Sequence, residues 1–180
     1  MIFSTTTTTA EAPETATHPV FTARELCLTA AMTALVFVAT FVPRIPIPLG
    51  YAHLGDAVIF LLALSIGRRE ALMAACLGSA LSDVLGGFLI WAVPTLIIKF
   101  VMADIVWRIA GRSAAGKFRT LGAFLASSLW MAFAYTVFGA ALYASVAAGL
   151  ASTPGLLMEG LVNTAAAFVA LPTLQKFLQR

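Results

Sequence analysis

The chain has 180 residues, of which 61% are hydrophobic and 11% charged, with a formal net charge of +3 and a mean hydropathy of +0.96. No soluble class fits that composition, so the chain reads as an integral membrane protein. A helix needs about 20 apolar residues to cross the hydrocarbon, which leaves room after a polar amino-terminal tail for six spans and for no soluble catalytic domain.

Residues 1–22 carry the run Thr5 to Thr9, then Glu11, Pro13, Glu14 and Pro19. They are too polar to bury a core and read as a disordered cytoplasmic tail, without the basic start and continuous apolar stretch of a signal peptide. Residues 23–180 form the membrane domain. Its first span runs from about Arg24 to Val42 and stops at Pro43-Arg44-Ile45-Pro46-Ile47-Pro48, where prolines exclude helix and leave a stiff, apolar loop. A short second span covers about Leu54 to Ile66, and Gly67-Arg68-Arg69-Glu70 turns the chain into a third, Ala71 to about Leu85. Gly86-Gly87 and Pro94 bracket a loop containing Trp91, and a fourth helix runs to Trp107. The basic segment Arg108 to Arg119 is the main internal loop, the fifth span lies within Leu121 to Ala148, and Thr153-Pro154-Gly155 introduces the sixth, which ends near Lys176.

Orientation follows from the positive residues. With the amino terminus inside, the inner flanks hold Arg24, Arg68, Arg69, Arg108, Arg112, Lys117, Arg119, Lys176 and Arg180, and the outer loops only Arg44. Both termini are therefore expected in the cytoplasm. These short clusters are topogenic and do not form a nucleic-acid stripe, so no nucleic-acid partner is expected. Cys27 and Cys76 sit in apolar helices with no metal-ligand spacing and read as small buried hydrophobes.

The informative residues are ionisable groups deep inside apolar runs: Asp56, Asp83, Lys99 and Glu159. A charge at the bilayer centre costs at least about 2.5 kcal/mol, so each marks a functional site by default. Thr95 lies one turn above Lys99, and Asn163 one turn below Glu159, on the same helix faces. With the topology above, these six share the outer half of the membrane, beside loops carrying Tyr51, His53 and Trp91. Each also has a plainer role. Asp83 and Lys99 can neutralise one another structurally, whether or not they line a site. Asp56 can cap the second helix. His53 reads as a loop histidine, and Tyr51, Trp91 and Tyr143 as an interfacial belt, with Trp91 the best exception. Tyr135, near mid-membrane, needs a hydroxyl partner that either a pocket or packing supplies. Asp104 and Arg108 are an i,i+4 helix pair. On the first helix, Ala30 and Ala34 flatten one face for close helix approach, within the bundle or against a partner.

Taken in order, Ala30-x-x-x-Ala34, the proline-rich loop, His53-Leu54-Gly55-Asp56-Ala57-Val58, Gly67, Gly78-Ser79-Ala80-Leu81-Ser82-Asp83-Val84-Leu85-Gly86-Gly87 and Pro94-Thr95-Leu96-Ile97-Ile98-Lys99 resemble the substrate-binding S components of energy-coupling factor (ECF) vitamin transporters. The resemblance spans nearly all of residues 24 to 178. It implies an all-α, six-helix membrane bundle in the cell membrane that binds a vitamin or precursor with high affinity and has no ATPase activity of its own. The implied partners are a membrane coupling subunit, met at the Ala30/Ala34 face, and two ABC-type ATPases. The ligand is then held near the outer surface by the later helices and external loops, with Tyr51 and His53 as the loop gate and pyridoxine or hydroxymethylpyrimidine as leading ligands. The tail is longer than the family leads one to expect. Two other classes compete. A membrane enzyme lacks a catalytic set, because His53 is the only histidine outside the tail and no HExxH, GxSxG or clustered Cys/His ligands occur, so no metal or cofactor is expected. A self-contained channel or secondary carrier, acting as a homo-oligomer, uses buried charges in the same way but needs no ATP.

Overall fold

A computed structural model describes residues 21–111 and 116–178. Most of the expected tail (residues 1–20), and Arg112 and Arg180 of the charge count, lie outside the described residues. The first helix, α1 (Ala23–Phe41), is opened by a capping box: the Thr22 hydroxyl accepts from Glu25 N–H at 3.3 Å, and the Glu25 carboxylate accepts from Thr22 N–H at 2.8 Å. This satisfies two donors that a helix start leaves orphaned.

Where an irregular loop was expected, the proline-rich segment folds as an antiparallel hairpin, β1 (Ile45–Ile47) and β2 (Gly50–Ala52), with Pro46 opposite Tyr51. Proline costs no ladder bond on an edge strand, and this sheet has only two edges. Leu49 takes the left-handed conformation in the turn, with φ 65°. The hairpin makes the bundle not strictly all-α.

Next come α2 (Gly55–Ser65) and α3 (Arg68–Leu85), a 3₁₀ turn (Leu89–Trp91), α4 (Ala92–Ala110), α5 (Lys117–Leu142) and α6 (Val146–Leu178). Four helices, α1, α4 with its preceding turn, α5 and α6, are long and apolar enough to cross a membrane. Helix α2 has 11 residues, too few to span alone, and α3 carries Arg68, Arg69, Glu70 and Asp83 among its 18. The chain order packs α3 between α1 and α4, and α5 between α4 and α6, while α2 touches α1, α3, α4 and α6. A helix touched on so many sides must be apolar nearly all round, and in α2 Ala57, Ile59, Phe60, Leu62, Ala63 and Leu64 are all buried.

The sixth helix starts seven residues before Thr153 and runs through both Pro154 and Pro172. Thr153-Pro154-Gly155 therefore lies inside the helix and does not introduce it. The true break is Tyr143 to Ser145, where Ala144 has φ 49° and the Ser145 hydroxyl accepts from Ala148 N–H at 3.2 Å. Proline removes one helical bond, a loss that helices inside a membrane bundle tolerate; just before Pro154, Ser152 donates to the Gly149 carbonyl at 2.7 Å. Cys27 is exposed on α1, against the expectation of burial, while half-buried Cys76 bonds the Leu96 carbonyl at 3.4 Å; both are free thiols.

The α1–α3 contact is closest at Gly78, where an added Cβ would lie 2.7 Å from the Thr33 carbonyl oxygen and 2.8 Å from Val36 Cβ. Gly78→Val should therefore destabilise the bundle by about 1–3 kcal/mol, read as a lower melting temperature of the purified protein in detergent. Unchanged melting would show that these helices can move apart freely.

Candidate ligand-binding site

At the hairpin end of the bundle a cavity of about 480 Å³, counting its mouth, opens between the hairpin and helices α3, α5 and α6. Six of the residues singled out in the sequence line it: Tyr51, His53, Asp83, Trp91, Tyr135 and Glu159. Trp91 is 6% exposed, and its ring centroid lies 5.5 Å from that of Tyr135 and 6.3 Å from that of Tyr143.

Asp83 stands in the last turn of α3 and organises one wall. Tyr51 donates to its Oδ1 at 3.0 Å and Thr95 to its Oδ2 at 2.5 Å, while Thr95 and Tyr135 share a hydroxyl bond at 3.0 Å. One hydrogen-bonded chain thus joins the hairpin to α3, α4 and α5. Burial, with the nearby Asp83 charge, pushes the Tyr51 phenol up to about 12, so it stays a donor. From the other side Arg44 donates to the Ser82 carbonyl at 3.1 Å and stacks its guanidinium over the Phe41 and Tyr51 rings at 4.0 and 4.5 Å.

The second wall is α6. Glu159 Oε1 accepts from His53 N–H at 3.2 Å, and Asn163 donates to the His53 carbonyl at 2.7 Å. The first donors of α2 are satisfied in the same place: Gly55 N–H goes to His53 Nδ1 at 3.1 Å and Ala57 N–H to Asn163 Oδ1 at 2.8 Å. Helix starts leave such groups unpaired, and here side chains from outside the helix take them up. Asp56 does not cap α2, contrary to one sequence reading; the cap position is Leu54, which makes no side-chain bond.

Asp56 pairs with Lys99 instead, Nζ to Oδ1 at 2.5 Å, the two side chains being 0% and 1% exposed. This corrects the expected Asp83–Lys99 pair. The reason is azimuthal: α2 lies beside α4 and offers Asp56 to Lys99, while both oxygens of Asp83 are already engaged by Tyr51 and Thr95. Asp56, Thr95, Lys99 and Asn163 do not line the cavity and form a polar layer behind it. At the opposite end Asp104 bonds Arg108 at 2.6 Å as expected, and also Arg68 at 2.6 Å.

The sequence reading missed Phe88, Ser152 and the β1–β2 turn residues among the lining. Ser152, Leu156, Glu159 and Asn163 repeat at steps of four, three and four, one face of a helix, a signal visible only once α6 is started at Val146. Ala30 and Ala34 lie elsewhere: both are exposed, and with Met73, Leu77 and Leu81 they line an apolar groove between α1 and α3.

His53 Nδ1 also lies 3.2 Å from Glu159 Oε1, an ion-pair distance, yet the ring is neutral at pH 7, because burial first and the Lys99 charge second lower its pKa from 6.5 to about 4. The unfolded chain then takes up a proton between those values that the folded chain refuses. The His53 contribution to stability is constant above pH 6.5 and falls as pH drops toward 4. His53→Gln should flatten the melting profile over that window; a profile as steep as wild type would mean that His53 is not buried neutral.

Removing one partner of the Lys99–Asp56 pair strands a charge, so Lys99→Met or Asp56→Leu should each cost about 3–5 kcal/mol, and the double variant should recover most of it. Thermal unfolding of all three in detergent checks this. A double variant no better than the worse single would show that the pair is not self-contained.

Residues 20–176 match the family model described as ECF-type riboflavin transporter, S component. A protein of Pyrococcus woesei described as an uncharacterized protein in gap 3'region is 36% identical over 110 residues, covering 58% of this chain and 74% of that protein. The match runs from before the first helix to the last turns of α6 and so takes in all the long apolar helices and the cavity: the chain belongs to the S-component family of ECF-type transporters, a family of membrane proteins and not an enzyme family.

Proposed function

We propose that this chain is the high-affinity binding subunit of an ATP-driven importer for a vitamin or vitamin precursor, with pyridoxine or hydroxymethylpyrimidine as leading substrates. In this reading it works with a membrane coupling subunit and two ABC-type ATPases. The observation that supports it most is the cavity: aromatic walls, a few fixed polar groups and a hairpin cover suit a small polar heterocycle better than a continuous ion path. In this reading six helices lie in the plasma membrane with both termini cytoplasmic, and the cavity opens at the outer face. The clustering of Arg68, Arg69, Arg108, Lys117, Arg119 and Lys176 away from the hairpin favours that orientation. Tyr51 and His53 serve as the gate, and Asp83, Trp91, Tyr135 and Glu159 face the ligand. Asp56, Thr95, Lys99 and Asn163 hold those groups in place.

The exposed Ala30 and Ala34 are the proposed contact for the coupling subunit, since small residues let helices approach closely. Ala30→Leu or Ala34→Leu should cut ATP-driven uptake by the reconstituted complex at least about tenfold while ligand affinity stays within about threefold of wild type. Full uptake by both variants would remove the coupling role. Uptake by the chain alone, without ATP or a coupling subunit, would replace the whole reading with a self-contained carrier.

A further inference from the structure

The polar ledger of the cavity is one-sided. Its two ionisable acids are Asp83 and Glu159. A carboxylate offers roughly four lone-pair positions; Asp83 spends two, on Tyr51 and Thr95, and Glu159 one, on the His53 N–H. Acceptor capacity is therefore left on both. Asp83 also sits in the last turn of α3, where the helix dipole adds negative character and favours a cation.

Among the described residues no positive group lines the cavity to offset this. Lys99 is spent on Asp56 behind the wall. Arg44 is not among the lining residues, and its guanidinium is engaged with Ser82 and stacked on Tyr51. His53 is the third titratable group facing Glu159, and its Nδ1 already accepts the Gly55 N–H. With the ring neutral, Nδ1 and Glu159 Oε1 are two acceptors held 3.2 Å apart, an arrangement that a donor hydrogen completes. Tyr51 and Tyr135 supply hydroxyls, already committed to Asp83 and Thr95. The free donor among the lining side chains is the indole of Trp91, whose Nε1 is buried without a partner.

We propose that the cavity selects ligands by charge: it takes an uncharged or cationic heterocycle that presents donors to Asp83 and Glu159 and an acceptor to Trp91, and it rejects anionic vitamins. The inference rests on the binding reading above and adds what the ligand must be. A carboxylate placed there would meet the acceptor oxygens of Asp83 and Glu159 with no cation among the lining residues to pair with it, and a buried anion left unpaired carries a large penalty.

Matched ligands isolate the charge. The purified chain would be titrated calorimetrically with pyridoxamine, pyridoxine and 4-pyridoxate, which share one ring, and with hydroxymethylpyrimidine, riboflavin, pantothenate and biotin. The expected order places every anion at least about 100-fold weaker than the tightest neutral or cationic compound. Asp83→Asn and Glu159→Gln, which keep size and most hydrogen bonds, should each narrow that gap at least about tenfold; Trp91→Phe should weaken the tightest ligand and leave the gap. An anion that binds as tightly as the best neutral ligand, or a gap unchanged in both amide variants, overturns charge selection alone. No binding by any of the seven compounds overturns the vitamin-binding reading beneath it.

Discussion

The structure depends on one buried ion pair, Lys99 with Asp56. An ammonium sealed inside an apolar bundle is costly unless a carboxylate meets it at bonding distance, and here both side chains are essentially inaccessible. That requirement fixes where α2 must begin, because Asp56 is its second residue. A helix so short has few contacts of its own to hold it in register. It is held by its burial among four other helices and by Asn163 and His53, which take up its first donors. Thus the pair sets α2, α2 sets the path of the His53 backbone, and that backbone in turn holds Glu159 through its N–H.

The cavity is what remains when these constraints are met at the bundle's end. Its cover is held to the helices by a few polar contacts, Tyr51 to Asp83, Arg44 to Ser82, His53 to Glu159 and Asn163, beside the packing of Ile47 against the core. A net hydrogen bond contributes only about 0.5–1.5 kcal/mol, and more when one partner is charged. A cover made that way can be secured when the cavity is filled without being sealed when it is empty, which is the balance an exchangeable site needs.

Much of this was legible in the sequence, and the reason is energetic. Asp56, Asp83, Lys99 and Glu159 stand out because apolar helices do not carry such residues without cause, and Asp83 and Glu159 line one polar end with Tyr135 while Asp56, Lys99, Thr95 and Asn163 form the layer behind them. Depth along the helices was readable from residue counts; the direction each helix face points was not. That is why Asp83 was matched to Lys99 when Asp56 is the partner. The hairpin was hidden because three prolines argue against strand, and only a sheet with two edges tolerates them. The start of α6 was hidden because Pro154 signals a break that the membrane bundle absorbs.

The cavity and the α1–α3 groove are not remote from each other in the chain. Helix α3 presents Leu77 and Leu81 to the α1 groove and, immediately after, Ser82 and Asp83 to the hairpin. Helix α1 supplies Ala30 and Ala34 to the same groove and runs directly into Arg44, which clamps the hairpin to Ser82. Nearness alone does not make coupling; an element with two arrangements must be biased from both ends. The segment Phe41 to Arg44 is one place where such an element fits, because Arg44 touches the end of α1 at Phe41, the hairpin at Tyr51 and the last turn of α3 at Ser82. The hairpin is thus tied to both helices that line the groove, to the end of α1 through Arg44 and to α3 through Tyr51.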